Sequence, residues 1–186
     1  MAIQIRQLPH NIEAEQSVLG AMILDKDAII DVVDVIGEAD YFKDQHKHIH
    51  RAIINLFNHN VSIDMVTLSE ELSSFVKLES IGGMEYLTEL TSAGVFTSHA
   101  RSYAKIIEEK AMLRKLIIAT TEIAEKGYEK EDADALLEMA EQSIFDISQK
   151  KNKEGLVGIS EILQETVHEI ERLAANPNAI TGISTG

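Results

Sequence analysis

SHARSYAKIIEEKAMLRKLIIATTEIAEK, residues Ser98 to Lys126, decides the fold. Apolar side chains recur through it at the three- and four-residue spacing of an amphipathic helix. Roughly thirty residues pass without Gly or Pro, against about ten to fourteen in an ordinary globular helix. Gly127 is the expected stop, and Asp132 can cap a return helix in which Leu136, Leu137, Ala140, Ile144 and Ile147 line one face. A long helix, a glycine-containing turn and an antiparallel return make a helical hairpin. Packed only on itself, such a hairpin leaves part of its longer arm's apolar stripe uncovered, so it is expected to pair with a second copy.

Upstream, the segments are shorter and still helical in period. Pro9 ends an extended lead-in and Asn11 can cap a helix burying Ile12, Leu19, Met22 and Ile23. A second helix is expected from about Asp27, with Ile29, Val32, Val33 and Ile36 inward and its end at Gly37. A third, from about Asp44, buries Ile49, Ile53, Ile54 and Phe57. Asp64 caps a short helix carrying Val66, Leu68 and Leu72, and Gly82-Gly83 introduce another with Met84, Leu87 and Leu90. No alternating run argues for a strand, so the fold class is all-α: a small helical globule with a projecting antiparallel hairpin.

Downstream, Gln149 to Gly158 (QKKNKEGLVG) is polar with two glycines and reads as a linker. Ser160 can cap a last helix with Ile162, Leu163, Val167, Ile170 and Leu173 on one side, ended by Asn176-Pro177. A lone amphipathic helix of this length is not stable in water and has to dock on something. The expected organisation is a head over 1–97, a hairpin over 98–148, a linker over 149–158 and a linker helix over 159–176, with 177–186 leading onward.

Composition excludes several classes. The 186 residues contain no Cys, so a disulfide framework or thiolate metal site is ruled out. No stretch matches a signal peptide or membrane span, and a cytoplasmic location with no membrane partner is the expectation. With 31 acidic against 17 basic residues and a net charge of -14, the chain is poorly suited to gripping phosphate backbones by itself. No phosphate loop of the form G-x-x-x-x-G-K-[ST] and no H-E-x-x-H occurs, so no catalytic, cofactor-binding or metal residue is assigned.

Four features invite a functional reading and have a plainer one. In His46-Lys47-His48-Ile49-His50, His46 and His50 share a helix face near Asp44, a geometry two metal ligands can use; without a third fixed ligand the site is weak, and a solvated face is the better reading. Gly82-Gly83 could hold an anion at a helix start or simply free that start sterically. Arg101, Lys105, Lys110, Arg114 and Lys115, interleaved with Glu108 and Glu109, read as a salt-bridged solvated face rather than a nucleic-acid stripe. Tyr86, Tyr103 and Tyr128 read as core or hairpin-packing residues, an exposed one being able to anchor a partner.

Taken together, LPHNIEAEQSVLGAMILD (Leu8 to Asp25), DYFKDQHKHIHRAI (Asp40 to Ile53), VSIDMVTLSEEL (Val61 to Leu72), IGGMEYLTEL (Ile81 to Leu90), YAKIIEEKAMLRKLI (Tyr103 to Ile117) and EQSIFDIS (Glu141 to Ser148) resemble, in order, the N-terminal region of the DnaB family of bacterial replicative DNA helicases. The terminal ITGISTG (Ile180 to Gly186) resembles that family's entry into its RecA-like motor. SAGVFTSHA (Ser92 to Ala100) departs from it, lacking a proline that relatives commonly carry before the long helix.

The resemblance implies a parent enzyme that assembles as a hexameric ring and unwinds DNA with ATP and Mg2+, this stretch being its collar without the motor. It implies hairpin-paired dimers, a trimer of dimers, a helicase loader and primase as partners, and DNA reached through the parent ring. By motif match, the family's primase-contact positions fall on Tyr86, Ile117 and Ile123. The linker helix, through Ile162, Leu163, Val167 and Ile170, would dock on a neighbouring subunit's motor. Two readings from other classes are a helicase-associated factor that mimics the collar, which the motor-entry segment argues against, and a small metal-binding protein built on His46 and His50.

Overall fold

Asn11 ends the extended lead-in and starts the first helix, its side chain accepting the Ala14 N–H at 3.0 Å. The same logic recurs at Asp25, which accepts from Asp27 N–H, and at Asp64, which accepts from Val66 and Thr67 N–H at 2.9 Å while Thr67 bonds back to the Asp64 N–H. A computed structural model describes residues 7–94, 96–129 and 132–151, with the side chains of 150 and 151 left aside. Among the described residues there are seven α-helices, three short 3-10 turns and no strand. The helices are α1 (Ile12–Leu24), α2 (Lys26–Val33), α3 (Asp44–Asn58), α4 (Met65–Ser73), α5 (Gly83–Ala93), α6 (Ala100–Tyr128) and α7 (Ala133–Lys151). The predicted linker and the linker-helix residues Ile162, Leu163, Val167 and Ile170 lie outside the described residues.

The chain divides into two compact units inside α7, after Leu136. In the first unit α1 is the central element, touching α2, α3, α5 and α6. That is why it is buried on nearly every side, from Ala14 and Glu15 through Val18 to Ile23. Around it Ile29 and Val32 of α2, Ile49, Ile53 and Leu56 of α3, Leu68 and Leu72 of α4, and Leu87 and Leu90 of α5 complete one continuous core.

The approach of α5 to α1 is closer than side chains allow. Gln16 meets Tyr86 and, four residues on in both helices, Gly20 meets Leu90, so the two run side by side in the same direction. A Cβ built on Gly20 would lie 1.9 Å from the Leu90 carbonyl oxygen, and one on Gly94 would lie 2.1 Å from the Gly20 carbonyl carbon. Backbone meets backbone here. Small residues also let α6 lie close on α1 and α2: Ala100, Ala104, Ile107, Ala111 and Arg114 are buried at alternating four- and three-residue steps.

Several boundaries differ from the sequence reading for local reasons. Asp25 rather than a residue near Asp27 caps α2, which ends at Val33, well before Gly37. Ile12 is only half-buried, while Val33, Val66 and Met84 lie on the exposed faces of α2, α4 and α5. The SAGVFTSHA segment forms a 3-10 turn over Thr97–His99, so α6 starts at Ala100. Gly127 does not stop α6, which includes it and ends at Tyr128. A Cβ on Gly127 would meet Leu136 Cδ2 at 3.6 Å, an ordinary contact, so the first turn of α7 returns beside the last turn of α6 and a side chain at 127 would fit. Asp132 accepts from the Ala135 N–H as expected of a cap. Asn60, with φ 55°, takes the left-handed position that ends α3, and the Val61 N–H closes back on the Leu56 carbonyl at 3.0 Å.

Gly20→Ala is expected to destabilise the first unit by about 3 kcal/mol, since helix backbone and not a flexible side chain must move. Gly37→Ala, where nothing lies within 4 Å of the added Cβ, should change stability by less than about 0.5 kcal/mol. Thermal denaturation of the two variants checks the contrast; similar losses in both would contradict the backbone contact.

Candidate interaction site

The residues that invite a functional reading lie on α3, α5 and α6, and the three helices place them differently. On α3, His46 and His50 are 0% and 4% exposed, so the solvated-face reading of this stretch is wrong. Their inward turn follows from partners far away in sequence. His46 Nδ1 lies 2.5 Å from Glu15 Oε2 on α1 and its Nε2 lies 2.6 Å from the Tyr86 hydroxyl on α5. His50 Nδ1 lies 3.2 Å from the buried Tyr41 hydroxyl. Burial pushes the His50 imidazole down to about 4, against an opposing pull from Asp40, and pushes the Tyr41 phenol well above its ordinary value. No group of three or more metal-ligating side chains occurs among the described residues. These histidines are spent on internal bonds, which removes the observation that motivated a metal site.

His48 and Arg51 lie on the outer side of α3, both by Phe75, with the guanidinium 5.0 Å from the ring centroid. At the start of α5, Gly82 and Gly83 have φ of 98° and 67°, in the left-handed region that favours glycine. Gly82 makes room for Tyr86: a Cβ there would lie 2.7 Å from the Tyr86 Cβ. Tyr86 is half-buried, its ring packed on the core and its hydroxyl bonded to His46 and, at 3.2 Å, to Gln16.

Helix α6 changes character along its length. As far as Arg114 it buries a face on the head, and the basic residues there are not all solvated as expected. Arg114 is buried: it donates to the Pro9 carbonyl at 2.8 Å and to the Asp40 carbonyl, with its guanidinium 5.7 Å from the Phe42 ring, which itself stacks on His10. Burial lowers the Arg114 pKa, opposed by Glu15 and Asp40. Lys115 reaches the buried Asp40 carboxylate at 2.7 Å. Arg101, within 4 Å of Asp31 and Asp34, and Lys110, on Glu109, do form the exposed pairs expected.

After Arg114 no described residue of α6 is buried. Ile117 and Ile118 are 42% and 55% exposed, Leu113 is exposed just before them, and Tyr128, read as a packing residue, is 88% exposed. Ile123 is half-buried. Six residues separate Ile117 from Ile123, about 120° around the helix, so they do not share a face. Tyr86 belongs to α5 and is bonded toward α1 and α3. In the second unit, described by itself, α7 carries exposed Leu137, Ile144 and Phe145. Uncovered apolar surface of this kind, and not a polar cleft, is the feature that calls for a partner. No helix among the described residues is long and apolar enough to cross a membrane.

Comparison with known proteins identifies the family. The family model described as the DnaB-like helicase N-terminal domain matches residues 7–109. The chain is 39% identical over 179 residues to the replicative DNA helicase DnaB of Geobacillus stearothermophilus, covering 96% of this chain and 39% of that protein. It is 38% identical over 179 residues to the replicative DNA helicase DnaC of Bacillus subtilis (strain 168), with the same coverage. It therefore spans about two-fifths of the length of these relatives. The crystal structure of the N-terminal domain of DnaB helicase from Mycobacterium tuberculosis superposes with a TM-score of 0.70 at 37% identity, covering 75% of this chain and 99% of that one. A DnaB-like replicative helicase whose structure was described together with its interactions with primase shares the fold, with a TM-score of 0.63 at 23% identity over 94% of this chain and 36% of that one.

The buried His50 makes a pH prediction. Its folded pKa of about 4 lies below the ordinary 6.5, so the unfolded chain binds the proton first. Stability is then complete above about pH 6.5 and falls as pH drops toward 4, by up to about 1.4 kcal/mol per unit. Urea unfolding between pH 7 and 5 should show this slope, and His50→Leu should flatten it; an unchanged slope in the variant would assign it elsewhere.

Proposed function

Because the chain belongs to the DnaB-like helicase N-terminal domain family, we propose that it is the collar and interaction module of a hexameric replicative helicase. The observation that carries this reading is the second half of α6, where Leu113, Ile117, Ile118 and Tyr128 remain uncovered. A second copy laid on that helix would bury them, giving hairpin-paired dimers that three-fold symmetry assembles into a trimer of dimers. The proposed organisation keeps a head over 1–97, a hairpin over 98–148, a linker over 149–158 and a linker helix over 159–176 that docks through Ile162, Leu163, Val167 and Ile170 on a neighbouring motor.

Primase is the proposed second partner, meeting Tyr86, Ile117 and Ile123. Support comes from the fold shared with a helicase studied with primase and from the half-exposed state of these three residues. Unwinding of DNA, with ATP and Mg2+, belongs in this reading to the whole helicase, working in the cytoplasm and served by a loader. The collar contributes indirectly, holding the motors in register. Its net charge of -14 fits a domain that meets other proteins and leaves DNA to the rest of the ring.

Sedimentation of the chain at tens of micromolar and titration with a cognate primase test the proposal together. Oligomers that dissociate at least about tenfold more readily in Ile117→Glu/Ile118→Glu, and primase binding weakened by Tyr86→Ala, are expected. A strict monomer that also ignores primase would refute it.

A further inference from the structure

Tyr86 is held at both ends. Its Cβ lies over Gly82, where any side chain would collide with it, and its hydroxyl lies in a chain of bonds reaching the centre of the head. Glu15, 1% exposed, accepts the Phe42 N–H at 2.8 Å and the Lys43 N–H at 3.5 Å. A carboxylate only accepts, so His46 Nδ1, 2.5 Å from Glu15 Oε2, carries a proton. With His46 taken as neutral, a premise that the NMR below tests, its opposite edge is a lone pair that takes the Tyr86 O–H, 2.6 Å away. The Gln16 amide donates to the same phenol oxygen from α1. Each proton in the chain has one acceptor.

Satisfying Glu15 needs only the near edge of His46. The far edge, with Gln16, does something else: it fixes a half-exposed tyrosine. We propose that Glu15, His46 and Gln16 are positioning residues for Tyr86, holding its hydroxyl inward so that α5 offers a partner a pre-set aromatic surface and no hydroxyl donor. This rests on the reading above that a partner docks at Tyr86. The partner's matching surface is apolar, because a polar group aimed at the phenol would find it already engaged, and a side chain fixed before binding loses little further freedom on binding.

The two edges of His46 can be separated by substitution. Asn at 46 reproduces the near edge that meets Glu15, whereas Gln reproduces the far edge that meets Tyr86. Nitrogen-15 NMR of His46 in the whole chain should show the proton on Nδ1, with a shift at Nε2 in Tyr86→Phe. Tyr86→Phe and His46→Asn should each weaken binding of a cognate primase by about two- to tenfold, and His46→Gln should bind within about twofold of the parent. Affinity losses that simply follow the melting temperatures, whichever edge is kept, would overturn the proposal, as would a proton found on Nε2. If Tyr86→Ala leaves primase affinity unchanged while the NMR is as expected, the docking reading fails and the relay stands.

Discussion

The head depends on α1 and α5 touching backbone to backbone at Gly20 and Gly94. Two helices with ordinary side chains at their crossing keep their axes about 8–10 Å apart. Removing both side chains lets the Leu90 carbonyl sit where a Cβ would otherwise be. One turn back along each helix, that closeness brings Tyr86 within hydrogen-bonding reach of Gln16, and so of the α1–α3 junction. A wider crossing would still bury Leu87 and Leu90 against something apolar. It would not bring the phenol to His46, and the far edge of that imidazole would be left without a partner in the interior.

Buried polar groups then fix what apolar burial leaves open. Leucines and isoleucines tolerate some sliding, since an apolar contact has no direction. Glu15, Asp40 and Arg114 do not, because each would be costly without its particular partners. Arg114 joins α6 to the Pro9 carbonyl, 105 residues earlier, and to Asp40, 74 residues earlier. Glu15 draws in two backbone N–H groups at the start of α3. These bonds run between segments remote in the chain and set the register in which the helices pack.

That remoteness also marks where the sequence is readable. The three- and four-residue periodicity, and side chains such as Asn11, Asp64 and Asp132 placed just ahead of apolar runs, are local signals, and the helices they announce are present. The burial of His46, His50 and Arg114 is not local: nothing within a turn of HKHIHR reveals a carboxylate 31 residues upstream waiting for an imidazole. Glycine is ambiguous in the same way. Gly127 reads as a stop but lies inside α6, and Gly20, in the middle of α1, is the crossing point. Of the residues that the family resemblance pointed to, Tyr86 has a geometry spacing could not suggest, while Ile117 and Ile123 fall on different faces of α6.

The contrast between the two halves of α6 separates stability from interaction. Through Arg114 the helix is matched to the head by alanines, one isoleucine and a satisfied guanidinium, and little there is left to bond. Beyond it the helix keeps its isoleucines with none of them fully buried, which a free-standing domain selected only for solubility would have replaced with charge. Helix propensity alone sustains such an extension poorly, so its apolar side chains make sense as one half of a contact. Among the described residues the head closes as a core, whereas the second half of α6 leaves apolar side chains open, and these are the ones that the proposed pairing would cover.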